Sequence, residues 1–155
     1  MSTNPFMAEA IGLSVDNVRN GGGPFGCVIV KDGKIVARGV NQVTQTNDPT
    51  AHAEIVAIRA ACAALKSYQL PGCEVYSSCE PCPMCLAAIY WSRPERVFFG
   101  NTREDAAEAG FDDSLIYKEI PMPHDRRRIP IRQMMGEEAK SAFVAWAMLT
   151  NKVRY

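Results

Sequence analysis

Cys82-Pro83-Met84-Cys85 and His52-Ala53-Glu54 stand about thirty residues apart, yet their chemistry is useful only at a single point in space. Zinc accepts thiolate sulfur and imidazole nitrogen and prefers four ligands in a tetrahedron. Three ligands from the protein leave one corner for water, whose proton then comes off near neutral pH. Any fold for this chain must therefore bring two distant segments together and hold them rigidly. Residues two apart in mid-helix diverge by about 200°, so His52 and Glu54 can face one opening only from a helix end.

The rest of the composition sets bounds. At 155 residues the chain reads as one domain, 1–155, with enough length to bury a core. Seventeen basic and seventeen acidic residues give a formal charge of zero, which argues against the strongly basic surface that grips nucleic acid. No basic, apolar leader and no membrane-spanning run is read. Six cysteines in a chain with this much apolar residue point to a reducing, cytoplasmic setting, with two thiols on metal and the rest free.

Residues 5–20 carry Phe6, Ala10, Leu13 and Val18 at helical spacing and stop at a glycine run. Residues 21–26, Gly-Gly-Gly-Pro-Phe-Gly, fit the letters of a dinucleotide-binding loop but leave a helix for a strand, the reverse of that motif's context. A tight backbone approach beside the site fits better, with Phe25 facing the core or a ligand. The runs 25–31 and 34–41 form a hairpin through Asp32-Gly33. Residues 41–49 read as a loop, and Thr50 as the cap of a helix from about Ala51 to Leu65. A short strand covers 74–78. Pro83 suits a first helical position, which makes Cys82 the cap and puts Cys85 in the first turn, where the helix's positive end favours thiolate. A strand at 96–100, a short helix within 101–109, a turn at 114–119, a proline-bounded loop at 121–130 and an edge strand at 131–135 follow. A last helix from Glu137 presents Ala139, Phe143, Trp146, Ala147 and Thr150 on one face. Strands alternating with helices after a hairpin predict an α/β fold, a mixed sheet covered on both faces.

Two readings of the cysteines compete. Cys79, Cys82 and Cys85 with His52 would close a structural Cys3His site, in which Glu54 has no purpose. In the open alternative His52, Cys82 and Cys85 bind zinc, zinc-bound hydroxide is the nucleophile, and Glu54 shuttles protons. Cys27 and Cys62 read as core, Cys73 as an inert loop thiol, His124 as a surface histidine and residues 126–128 as a solvated basic run. Tyr155 is by default a frayed terminus.

The order H-x-E then P-C-x-x-C is that of zinc deaminases acting on nucleobase rings. Gly23-Pro24-Phe25-Gly26, His52-Ala53-Glu54, residues 78–85, Ala88-Ile89-Tyr90-Trp91, the block 106–120 and the terminal Tyr155 together resemble the cytidine-deaminase-like superfamily. Within it the chain looks most similar to the small bacterial guanine deaminases. The block 111–120 and the last tyrosine carry that narrower likeness, and residues 121–128 have no counterpart in it. The resemblance implies a three-layer α/β/α sandwich and hydrolysis of guanine to xanthine and ammonia. It also implies a homodimer that exchanges C-terminal segments. By the same likeness His52, Cys82 and Cys85 correspond to zinc ligands and Glu54 to the proton shuttle. Asn41, Asp113 and Tyr155 match positions that contact the base, Phe25 a stacking position and Trp91 a pocket wall. A small-molecule base as partner, with neither membrane nor nucleic acid, follows. Other bases and nucleosides (cytosine, cytidine, ammeline), a tRNA adenosine, or a non-enzymatic zinc module are the alternatives.

Overall fold

Asn4 opens the first helix by accepting hydrogen bonds from the backbone N–H groups of Phe6 and Met7 at 2.9 and 3.0 Å, with Pro5 at the first helical position. The structure, a computed structural model, describes residues 3–155. They form two compact units, one ending at Asp113 and the other Ser114–Tyr155.

In the first unit, α1 (Pro5–Arg19) buries Ala10, Ser14 and Asn17, a stripe at i, i+4 and i+7. Phe6 and Leu13 pack beside it, while Val18, expected on the same face, is 52% exposed. Strand β1 (Gly26–Lys31) turns through Asp32 and Gly33, both at positive φ, into the antiparallel β2 (Lys34–Val40). That is the two-residue hairpin the Asp-Gly pair predicts. Strand β3 (Cys73–Cys79) pairs antiparallel with the other edge of β1, and β4 (Arg96–Asn101) lies parallel to β3, giving the order β2-β1-β3-β4. The sheet is mixed, as expected.

The alternation of β1 shows why the strand reads as one continuous apolar run. Cys27 and Ile29 join Ala37, Ala53, Ala57, Ala61, Leu70, Val75 and Ile89 on one side, and Val28 and Val30 join Ala10 and Tyr76 on the other. Thus α1 covers one face, and α3 (Ala53–Leu65) with α4 (Pro83–Ser92) covers the second, an α/β/α sandwich. Helix α4 is the crossover that the parallel β3–β4 pair requires. Gly39 sets how closely α3 lies on β2: a Cβ there would stand 2.2 Å from the Ala53 carbonyl oxygen and 2.5 Å from the Ala57 nitrogen.

Other local expectations need correcting too. Within the polar stretch 41–49 one helical turn forms, α2 (Val43–Thr46), closed by Thr46 donating backbone and hydroxyl bonds to the Gln42 carbonyl. Thr50 does not cap α3. Its N–H and hydroxyl both donate to Asp48 Oδ1, at 2.8 and 2.7 Å, and His52 takes the cap position. Cys73 is no loop thiol but the fully buried first residue of β3. Residues 131–135 form no strand: among the described residues no strand pairs with them, and Met135 is left-handed. After β4, Thr102 and Asp105 make a reciprocal capping box that starts α5 (Arg103–Glu108).

The second unit holds α6 (Ser114–Glu119), a 3₁₀ turn at His124–Arg126 and α7 (Gly136–Met148). Arg127 donates to the carbonyls of Met122 and Ile120, and the Arg128 N–H to the Glu119 carboxylate. No residue of this unit is buried, and Phe143 and Met148 are more than three-quarters exposed. Thr150 lies beyond the end of α7 rather than on its face. Among the described residues no helix is long and apolar enough to cross a membrane.

Candidate active site

Two helix N-termini build the centre of the site. His52 is the N-cap of α3 and Cys82 that of α4, neither using its side chain to cap, so both side chains are available for another task. Pro83 follows Cys82 at the first helical position, and Cys85 lies in the same first turn, as the Cys-Pro-x-Cys spacing predicts. His52 Nδ1 stands 3.5 Å from the sulfurs of both Cys82 and Cys85, and the ligand atoms of all three residues lie within 4.8 Å of one another. Zinc–sulfur bonds of about 2.3 Å and a zinc–nitrogen bond of about 2.0–2.1 Å at tetrahedral angles give an N···S edge of about 3.6 Å. The donor set and its spacing fit zinc.

Cys79 lies outside this group. Its sulfur faces the Thr102 carbonyl oxygen at 3.7 Å, and burial pushes its thiol up to about 11. Three ligands therefore converge, not the four of a closed site. The Cys85 thiol donates to Cys82, which with His52 pulls the Cys82 pKa down to about 4, and Cys85 is pushed up in return. A bound dication would favour the thiolate form of both sulfurs.

Glu54, 6% exposed, lies in the first turn of α3 and accepts a hydrogen bond from Ser77 Oγ at 3.1 Å. Burial raises its pKa, and the Cys82 charge adds to the rise. Ser77 escapes sequence reading, because its partner lies 23 residues away and an alternating strand gives no sign of a buried hydroxyl. Its neighbour Ser78 accepts the Gly26 N–H at 3.0 Å, which pins the start of β1 to the end of β3.

The residues expected to hold a substrate are distributed unevenly. Asn41, buried at the end of β2, donates its backbone N–H to the Phe25 carbonyl at 3.2 Å, and its Oδ1 accepts from Val43 N–H at 3.3 Å. The next residue, Gln42, bonds to the Ala51 carbonyl, so Asn41 is tied to the chain just before His52. Phe25 meets Phe111 edge-on, with ring centroids 5.0 Å apart. Asp113 is half-buried, and its pKa is raised by burial and then by the charge of Cys82, whereas Asp112 is exposed. Trp91, 64% exposed, stands at the opposite end of α4 from Cys82, about 13 Å away along the helix. Tyr155 and His124 are exposed residues of the second unit.

The family described as the cytidine and deoxycytidylate deaminase zinc-binding region matches residues 1–101. A guanine deaminase of Bacillus subtilis is 56% identical over the full length of both chains. An X-ray structure of a guanine deaminase from that organism superposes with a TM-score of 0.96, covering 100% of this chain and 99% of the other. A tRNA-specific adenosine deaminase of Agrobacterium fabrum is 46% identical over 56% of this chain and 59% of its own. Both the metal triad and the helices that carry it lie inside the matched region, and this chain belongs to the zinc-binding cytidine and deoxycytidylate deaminase family.

Proposed function

We propose that the protein is a guanine deaminase, converting guanine and water to xanthine and ammonia. The observation that carries this reading is likeness over the whole chain, second unit included, to a protein of that name, joined to a three-ligand site with a carboxylate beside it. His52, Cys82 and Cys85 would hold the zinc. When bound, zinc supplies Lewis acidity and makes a water acidic near neutral pH. Glu54 takes one proton from the attacking water to a ring nitrogen, then moves that water's second proton to the departing amine. Ser77 holds that carboxylate in place.

Guanine is flat and has an N–H edge, so Phe25 serves as a stacking wall and the Asp113 carboxylate as an acceptor. Asn41 and Tyr155 complete the polar contacts, and Trp91, at the far end of α4, is left out of the pocket. A pocket that pairs these groups rejects a base lacking the right edge by about 10⁴–10⁵, because the wrong base leaves buried groups unpaired.

The chain acts as one deaminase domain in a homodimer with exchanged C-terminal segments. In support, the unit Ser114–Tyr155 is near the size below which chains need other help to fold, and it buries none of its own apolar side chains. A second copy is the surface we assign to it. We assign the enzyme to the reducing cytoplasm, a reading supported by its free cysteines.

The partial match to a tRNA deaminase supports a second reading, editing of a tRNA adenosine. Against it, residues 1–113 carry nine basic and thirteen acidic residues, the wrong sign for gripping RNA. Zinc-loaded protein assayed for ammonia from guanine, adenine, cytosine, cytidine, ammeline and a tRNA anticodon stem decides between them. Guanine should be preferred, and Glu54→Gln should keep its zinc while losing about 10²–10⁴ in rate. Normal turnover by zinc-loaded Glu54→Gln, or no ammonia from guanine, overturns the proposal.

A further inference from the structure

The buried amide of Asn17 belongs to no part of the reaction described above, yet it sits where two pocket-bearing segments meet. Its Nδ2 donates to the Gly23 carbonyl at 2.8 Å and to the Asn41 carbonyl at 2.8 Å, 24 residues away. With a carbonyl oxygen on each side, that atom must be the NH₂, since an amide oxygen has no proton to offer. The Asn17 main chain takes part as well, its carbonyl accepting from Gly22 N–H at 2.8 Å. Phe25 N–H in turn donates to the Gly23 carbonyl, and Asn41 N–H to the Phe25 carbonyl. One side chain on α1 therefore fixes both the segment that presents Phe25 and the strand end that presents Asn41.

The glycines beside it confirm how closely the parts are fitted. A Cβ on Gly22 would stand 2.4 Å from Asn17 Nδ2 and 2.7 Å from Asn17 Cγ, and one on Gly23 would stand 3.0 Å from Asn41 Cγ. The run of glycines is a bed for the two asparagine side chains, which accounts for its resemblance in letters to a phosphate loop without that function.

We infer that Asn17 is a positioning residue for substrate recognition, setting Asn41 and Phe25 against the base through its two-carbonyl clamp. This rests on the assignment of Asn41 and Phe25 to the guanine pocket under the proposed function. Asn17 touches neither base nor metal.

The test is a double-mutant cycle on zinc-loaded protein, Asn17→Ala and Asn41→Ala singly and together, with guanine as substrate. Asn17→Ala should keep one zinc per chain and lose about 10²-fold in kcat/KM, the scale of a 1 Å misplacement. The loss should lie in KM more than in kcat, because the groups it orients hold the base and move no proton. On the Asn41→Ala background the same change should cost clearly less, about 10-fold, because only Phe25 is then left to misplace. Gly22→Ala, which forces the Asn17 amide aside, should reproduce the Asn17→Ala profile. Equal losses in both backgrounds, or no loss, would overturn the inference. Should Asn17→Ala fail to fold, Asn17→Ser, which retains one donor, takes its place in the cycle. If the unaltered protein releases no ammonia from guanine, the proposed function is what fails. Crystal structures then judge the clamp alone: Asn41 and Phe25 displaced in the variant with His52, Cys82 and Cys85 unmoved supports it, and an unmoved pocket overturns it.

Discussion

Gly39→Ala puts a single methyl group where the backbone of α3 touches β2. The new carbon would lie 2.2 Å from the Ala53 carbonyl oxygen, 2.5 Å from the Ala57 nitrogen and 3.0 Å from the Ala57 side chain. Carbon–oxygen contacts of this kind close at about 3.3 Å, so the helix must withdraw from the sheet by about 1 Å. All three obstructing atoms belong to the first turns of α3, beside His52 at its cap and Glu54 two residues further on. Cys82 and Cys85 hang instead on α4 after β3, so the retreat separates the imidazole from the two sulfurs rather than moving the triad as a body. Overpacking of this size costs about 1–3 kcal/mol, or roughly 2–12 °C of melting temperature in a chain this long. On the proposed mechanism, misplacement of the Glu54 carboxylate by about 1 Å costs about 10²-fold in rate. Thermal melts, metal analysis and ammonia release from guanine measure the three consequences. Gly12→Ala, whose added carbon meets no atom within 4 Å, is the control and should change neither rate nor zinc content. Melting and turnover like those of the unaltered protein in Gly39→Ala would refute the claim that this contact sets the site's geometry.

Cys79→Ala should retain one zinc per chain by metal analysis, whereas Cys82→Ala and Cys85→Ala should lose it, since Cys79 faces Thr102 and stands outside the triad. The Asp105 carboxylate is held below its ordinary range by the Thr102 N–H and then the Thr102 hydroxyl. A depressed acid contributes its stability above its unfolded value, about 3.9, and loses it as pH falls through the lower folded value. Melting curves from pH 7 to pH 2 should therefore show Asp105→Asn less stable than the unaltered protein above about pH 5, with the gap closing below about pH 4.

The parts of this architecture legible in the sequence are those that local chemistry decides. Asp32-Gly33 specifies its hairpin because both residues tolerate positive φ. Cys82-Pro83 specifies a helix start because proline lacks the N–H that would go unpaired there. The metal triad follows from ligand type and order. What stayed hidden depends on competition or on distance along the chain. Thr50 is a good cap in isolation, but Asp48 two residues earlier claims both its donors. Residues 131–135 have strand composition and no strand to pair with. Ser77, Ser78 and Asn17 act on partners 23, 52 and 24 residues away, and nothing in their neighbours' identities announces it. Gly39 looks like a weakness inside a β-rich run, and only the helix lying on it explains its presence.

Strand β1 is paired on both edges and covered on both faces, with neighbouring side chains feeding opposite layers. Neither layer can melt away and leave the other standing, because both are nailed to the same plank. Heat should consequently abolish base recognition and metal retention in one cooperative step, and amide protons along β1 should be the slowest in the molecule to exchange with solvent.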